Sequence, residues 1–490
     1  MGRAQQSSLI EPYGILIDGA ETDAAGGDST TVENPSTGEA LSEVPAGTVS
    51  DLERAVAAAR EAFEAWSRID PAERSRLLNT VGGRIREEAD RLARVETLEH
   101  GRPLSDAHGQ VTRCARHFEY YAGIADKIQG DQIPLGEGHV DYTIREPVGV
   151  TGHIVPWNVP IYLFGRSVAP ALAAGNTAVV KPANLTPLGA IEVGRIVDDV
   201  LPDGVLNVVP GAGSVVGDAL SAHDDVGSIT FTGSGETGVA VGRNAASAVT
   251  DVVLELGGKS PFAVYPDTNI GEAAAEVIRA IFTGSGQICS AGSRALVHES
   301  IHEAFMDELR SRIDDLEIGP GVEDPDMGPL ISASHRRSVL EYVDLGRETI
   351  GDPAVGGELI DGDGFFMEPT VFDEVPNDSR IAQEEIFGPV LTVTTFTDES
   401  EAIELANDVE YGLAAGVMTD DLRKAHRFAR EVDAGQIYIN EWFAGGNETP
   451  FGGFKKSGVG RDNGIQAIDN YTQIKNVCAD IGFRDGTDGQ

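Results

Sequence analysis

The chain has 490 residues, enough for two to four domains that each hold their own core. It carries 37 basic against 79 acidic residues, a net charge of −42, and phosphate-rich partners such as nucleic acid are repelled by such a surface. Hydrophobic content of 41% is ordinary for a globular protein, and no apolar run approaches the ~18 residues of a membrane helix.

The acids do not form one tail but recur along the chain, as in E-E-A-D (87–90) and D-D-L-E (314–317). Diffuse acidity with few lysines points to a halophile's protein working in concentrated salt, the alternative being a merely acidic mesophilic one. Three cysteines, Cys114, Cys289 and Cys478, make no disulfide framework, and no Cys/His cluster has zinc spacing. The start, M-G-R-A-Q-Q-S-S, lacks a signal-peptide core, and Gln6 breaks the myristoylation pattern. A soluble, cytoplasmic protein without a metal or a membrane partner is expected.

In chain order, residues 1–30 suggest a ragged arm, followed by a turn, E-N-P-S-T-G-E-A, between two short strands. Residues 49–98 have helical spacing, with Ser50 or Asp51 as cap, and a further helix is expected over 105–128. Residues 132–146 suit a hairpin that pairs with a late strand at 471–478, an edge suited to subunit contact. From Gly149, short apolar strands alternate with helices: G-V-T-G-H-I-V, T-A-V-V-K, G-V-L-N-V-V, G-S-I-T-F-T and D-V-V-L-E-L. That alternation predicts a parallel, doubly wound sheet with ligands at the strands' carboxyl ends, where P-W-N, K-P-A-N, F-T-G-S and E-L-G-G fall. A second helical core is expected over 270–318, and a second alternating block over 336–439.

Chemistry concentrates between Val253 and Arg294. V-L-E-L-G-G-K sets the carboxylate of Glu255 before two glycines, and G-Q-I-C-S-A-G-S-R sets Cys289 among residues too small to block it. A nucleophile and a base for covalent catalysis are thereby suggested. A lone cysteine is ordinarily a small apolar filler, and that reading holds for Cys114 and Cys478, which lack such a setting. F-T-G-S-G-E-T-G holds a G-x-G-x-x-G of Gly233, Gly235 and Gly238, with Ser234 inside it. As a dinucleotide fingerprint it would assign Glu255 to a ribose instead, so two roles compete for that residue. Asn158 in P-W-N is an amide donor or a turn residue, and Lys181 a phosphate or ribose ligand or a solvated loop lysine.

Taken together, seven blocks resemble the aldehyde dehydrogenase superfamily of the non-acylating, NAD(P)-dependent kind. They are E-P-V-G-V with P-W-N, A-P-A-L-A-A-G-N-T-A-V-V-K-P-A, F-T-G-S, L-E-L-G-G-K-S-P, G-Q-I-C, Q-E-E-I-F-G-P-V and P-F-G-G-F-K-K-S-G-V-G-R. The resemblance implies a Rossmann-like parallel-sheet α/β cofactor domain (1–130 and 148–257), a second α/β catalytic domain (258–466), a β oligomerisation element (131–147 and 467–482) and a frayed tail (483–490). It implies that Cys289 is the nucleophile, Glu255 the general base, and Asn158 with the Cys289 N–H the oxyanion hole. It places Ser234 at a pyrophosphate, Lys181 at the adenosine ribose, Glu385 at the nicotinamide ribose and Phe387 near the nicotinamide. Ile154, Trp157, Gly213, Gly233, Gly238 and Leu256 complete that cleft, and Gly235 becomes a local substitution.

The chemistry so implied runs from thiohemiacetal through hydride loss to a thioester that Glu255-activated water hydrolyses. No basic residue beside the thiol is evident, so amide dipoles or the bound cofactor must stabilise the thiolate. Asn184 stands where the family often has a glutamate, which admits NADP beside NAD. Tyr162, Leu163, Arg166, Ile288, Trp442 and Phe451 are the implied substrate residues. Arg166 either draws an acidic aldehyde or points to solvent or a neighbouring carboxylate. A homodimer or homotetramer is implied. The competing readings are an acylating, coenzyme-A-dependent relative and a non-catalytic binding or structural protein on the same scaffold.

Overall fold

The computed structural model describes residues 10 and 12–482; the frayed tail expected at 483–490 lies outside them. Three sheets organise the chain. The first has eight strands, in the order Ala20–Thr22, Ile15–Ile17, Leu206–Val208, Thr177–Pro182, Val150–Val155, Val226–Thr232, Asp251–Glu255 and Gly458–Val459. Its five inner strands are parallel, and its margins antiparallel. Strands such as Thr177–Pro182 are buried at every position, as a parallel sheet covered on both faces requires.

The second sheet has six parallel strands: Thr370–Phe372, Val390–Phe396, Arg294–His298, Pro261–Val264, Ala414–Met418 and Gln436–Ile439. The third is antiparallel, with Thr472–Asp480 paired along its whole length to His139–Pro147 and Gln132–Ile133 beyond. The architecture is thus the α/β arrangement with two parallel sheets and a small β element that the alternation and the resemblance predict.

Several local expectations are corrected. The supposed arm is structured from Ile15: Ile15, Leu16 and Ile17 are buried, because they close the margin of the first sheet against Leu206–Val208. The helical run at 49–98 is three helices, Val49–Ser67, Pro71–Glu87 and Ala89–His100. Thr48, rather than Ser50 or Asp51, caps the first; its side chain accepts the Asp51 N–H while the Asp51 carboxylate accepts the Thr48 N–H at 2.9 Å. The next helix is Leu104–Ala122, ending at Gly123, short of the expected Ile128.

The second sheet begins at Pro261, so R-A-L-V-H inside the expected helical core is a central strand between helices Ile270–Phe282 and His302–Asp314. Its four buried residues in a row carry no alternation, and flanking helical periodicity masked it. Gly458–Val459 returns to the first sheet and pairs with Leu254 and Glu255.

Candidate active site

Helix Ile270–Phe282 ends at Thr283, and the chain then takes three successive left-handed residues, Gly284, Ser285 and Gly286 (φ 60°, 59° and 71°). Gly286 is obligatory, since a Cβ there would stand 2.1 Å from the Gly388 carbonyl oxygen. Ser285 bears the same backbone with a side chain, whose hydroxyl donates to Gly328 O at 2.8 Å. Gln287, buried, donates to Gly284 O (3.2 Å) and accepts from the Ile331 N–H (2.9 Å). This turn delivers Cys289, half-buried, to the wall of a cavity of about 500 Å³.

Glu255 ends its strand beneath the same region. The two glycines after it are spacers of different purpose. A Cβ on Gly257 would fall 2.1 Å from Glu385 Oε2, and one on Gly258 2.7 Å from Cys289 O. E-L-G-G therefore brings Glu385 and the Cys289 backbone against the end of the Glu255 strand. Gly258 N–H donates to Glu385 Oε1 at 3.0 Å. Burial pushes the Glu385 carboxyl up to about 7, with the Gly258 N–H and Lys259 opposing.

Arg166 links the parts. Its Nε donates to Asp462 at 2.9 Å, its Nη2 lies 3.4 Å from Glu255 Oε2, and its guanidinium covers the Phe451 ring at 4.4 Å. Burial works against its charge, but Asp462 and Glu255 outweigh burial and hold it protonated. Burial raises the Glu255 carboxyl well above its usual range; Arg166 opposes that rise and Asp462 reinforces it. Burial likewise pushes the Cys289 thiol up to about 12, with Arg166 lowering it and Glu255 and Glu385 raising it. Thiol and carboxyl thus share one electrostatic neighbourhood. A cation beside the thiol, which sequence inspection did not find, is Arg166.

Asn158 is buried, and its side-chain N–H donates to Gln287 O at 3.0 Å, two residues before Cys289. Behind it, Arg102 donates to the Asn158 carbonyl and pairs with Glu96 (3.2 Å) and Asp106 (2.9 Å). Arg102, Glu96, Gln287 and Asp462 escaped sequence reasoning. Asp462 alone had a signal, a carboxylate directly after G-V-G-R.

The residues expected to hold a dinucleotide line the carboxyl edge of the first sheet. Ser234 caps helix Gly235–Ser247 and accepts the Thr237 N–H at 3.3 Å. Gly233 and Gly238 leave room for side chains, since added Cβ atoms would meet the tip of the Phe231 ring at 2.5 Å and Leu256 Cδ2 at 2.4 Å. At Gly235 a Cβ meets nothing within 4 Å, so packing does not demand the middle glycine of the fingerprint. Gly213 is equally open. Lys181 pairs in register with Ile154, is buried, and donates to Pro182 O at 2.9 Å; burial lowers its ammonium to about 8. Trp157 meets Phe387 and His335 edge-on, each at 5.3 Å, and His335 Nε2–H donates to the Phe387 carbonyl (2.8 Å), holding that residue's left-handed backbone (φ 58°). An open edge with helix N-terminal amides, a buried lysine and an aromatic pair fits a dinucleotide.

Of the expected substrate residues, Tyr162, Leu163, Arg166, Ile288 and Phe451 line the cavity. Trp442 does not. It is fully buried in the second core, against Phe262 and Tyr438, with its indole N–H on Ser290 O at 3.2 Å. Its place on the wall is taken by Phe443, turned by a left-handed backbone (φ 56°), and by Tyr438. Arg166 faces neighbouring carboxylates, the alternative set against its drawing an acidic aldehyde. No group of metal-binding side chains occurs among the described residues, and no helix among them is long and apolar enough to cross a membrane.

A cysteine on a cavity wall, a buried carboxyl in its electrostatic neighbourhood and a dinucleotide-type sheet edge are the parts of an α/β enzyme that pairs a thiol nucleophile with a nucleotide cofactor. The chain belongs to the aldehyde dehydrogenase family, whose profile matches residues 22–477. It is 39% identical over 472 residues, 95% of each chain, to the protein of Bacillus subtilis (strain 168) named "Putative aldehyde dehydrogenase DhaS". Its structure resembles a betaine aldehyde dehydrogenase of Staphylococcus aureus in complex with NAD+ (38% identity, 96% of this chain and 95% of that one, TM-score 0.94). It also resembles the NAD+ complex of a Bacillus cereus aldehyde dehydrogenase (38%, 98% and 99%, TM-score 0.96).

Proposed function

We propose that Cys289 attacks the aldehyde carbon and Glu255 activates the water that releases the carboxylic acid. The observation that carries this is the common neighbourhood of the two groups: Cys289 and Arg166 line one cavity, Arg166 Nη2 lies 3.4 Å from Glu255 Oε2, and both Arg166 and Glu255 act electrostatically on the thiol. Asn158 is held by Arg102 and Gln287 with one amide N–H committed, which leaves a second to stabilise the oxyanion of the thiohemiacetal together with the Cys289 N–H. NAD, when bound, supplies the acceptor for the hydride that leaves as the thioester forms. Lys181, Ser234, Gly213, Gly233, Gly238, Ile154 and Leu256 would hold it along the sheet edge, Glu385 would bind a ribose, and Trp157 and Phe387 would contact the nicotinamide. Burial raises the Glu255 carboxyl while Arg166 opposes that rise, and Glu255 acts as the base once substrate and water change that environment.

The test is NADH formation from an aldehyde panel, with the acid product identified. Loss of turnover in Cys289→Ala is expected, and an active Cys289→Ala variant overturns the assignment. Coenzyme A in the same assay separates hydrolysis from acyl transfer. Asn184, half-buried at the sheet edge, brings no negative charge against a 2′-phosphate, so NADP is accepted beside NAD. A strong NAD preference in initial rates defeats that part.

The sheet of His139–Pro147 and Thr472–Asp480 exposes Tyr142, Ile144 and Ile474, which supports self-association into a dimer or tetramer, measurable by light scattering. The charge of −42 supports work in concentrated salt, and the three free cysteines support a reducing, cytoplasmic setting.

A further inference from the structure

The cavity that receives Cys289 is lined by three arginines, Arg113, Arg166 and Arg279, and by one carboxylate, Asp106. Such a wall is unexpected in a chain with 79 acidic and 37 basic residues. Two of the guanidiniums are committed. Arg166 is held by Asp462 and Glu255, and Arg279 by Glu276 at 2.8 Å with Glu441 at 4.0 Å. Asp106 is committed as well, accepting from Arg102 (2.9 Å) and Gln110 (3.0 Å).

Arg113 differs. It lies on helix Leu104–Ala122, exposed, and its guanidinium has no hydrogen bond or ion pair with any described residue. Arg116, one turn further along, is paired with Glu448. The Arg113 backbone is fixed, because Asn447, also on the cavity wall, donates to its carbonyl at 3.0 Å. Arg113 and Cys289 both line this one cavity, so the free guanidinium and the thiol face one space. The wall also carries aromatic and neutral side chains, among them Tyr162, Tyr438, Phe443, Phe451 and Asn463.

From this juxtaposition we infer that the enzyme's preferred substrate is an aldehyde carrying a carboxylate at its far end, with Arg113 as the residue that recognises the anion. The inference rests on the aldehyde oxidation proposed above and names its substrate class. Carbonyl and carboxylate separate along the cavity, the first to Cys289 and the second to the one guanidinium among its lining residues that is not already paired. A planar carboxylate meets a guanidinium through two parallel hydrogen bonds, which neutral and cationic aldehydes cannot make. Betaine aldehyde, a cation, is disfavoured at the same place.

The test compares kcat/KM for 4-oxobutanoate, its methyl ester and betaine aldehyde, with NAD+, at one pH and one fixed ionic strength. The wild type is expected to favour the acid over the ester by about tenfold or more. In Arg113→Gln that ratio falls toward one, with KM for the acid carrying the loss, and Arg113→Lys restores it in part. A wild-type ratio near one, a preference for betaine aldehyde, or a ratio unchanged in Arg113→Gln overturns the inference. Hexanal separates the two levels: turnover of hexanal without an acid preference overturns the anion site alone, whereas an enzyme inert to every aldehyde loses the oxidation reading and this inference with it.

Discussion

Arg166 Nη2 lies 3.4 Å from Glu255 Oε2, and the two side chains are only 4% and 2% exposed. A charge is held there out of water because Asp462 shares it, at 2.9 Å from Nε. The pair joins the helix after P-W-N to the end of the Glu255 strand, and its field reaches the Cys289 thiol. Breaking one partner of such a pair is costly because the other is left buried and unmatched.

Arg166→Met is therefore expected to destabilise the fold by about 3–5 kcal/mol, and Arg166→Met with Asp462→Asn by less. Urea denaturation of the two variants measures the difference. Equal losses would show that the arginine acts through packing on Phe451 rather than through charge.

Thiol reactivity in the free enzyme follows from the same field. With the thiol at about 12, only the rare thiolate reacts, so iodoacetamide labelling of Cys289 rises about tenfold per pH unit from 7 to 10. Arg166 lowers that thiol, so Arg166→Met slows labelling at any one pH in this range. Labelling that is independent of pH would refute the raised thiol.

Glu255→Gln leaves attack by Cys289 and hydride loss intact but removes the base for hydrolysis. A stopped-flow burst of NADH near one equivalent is expected, followed by turnover reduced about 10²–10⁴-fold. Absence of both burst and turnover would move Glu255 to an earlier step.

Asn158→Ala removes an oxyanion donor, and kcat is expected to fall about 10²–10³-fold with iodoacetamide labelling preserved. Labelling that fell in parallel would point to collapse of the Gln287 turn instead.

Lys259 is fully buried, its Nζ makes no hydrogen bond with described residues, and burial lowers it from 10.5 to about 7. Between those values the unfolded chain binds more protons than the folded one, so this group makes stability rise with pH from about 7 to 10.5. Its slope is at most about 1.4 kcal/mol per pH unit. Lys259→Met should raise the urea midpoint at pH 7.5 and keep only about a third of that advantage at pH 9.5. A gain that is constant with pH would mean that only packing changed.

What the sequence alone determined is what local pattern and chemical type can encode. The alternation after Gly149 specified a parallel sheet, because each strand must be apolar on both faces while helices cover it. Glu255 and Cys289 were legible because glycines and small residues surround them, and the packing distances at Gly257 and Gly258 show the need those glycines meet. The strand Arg294–His298 was hidden, since a short buried strand has no periodicity to separate it from helix.

Tertiary structure alone decided where charge resides. Arg166 and Asp462, far apart in the chain, pair only because strand Gly458–Val459 folds back onto the Glu255 strand, and Trp442 is core rather than wall because Gly292 and Gly416 open a space for its ring. Which cation is spent and which is free, as between Arg166 and Arg113, depends on distances of a few ångströms between distant segments, and Coulomb energy is set by those distances rather than by residue type.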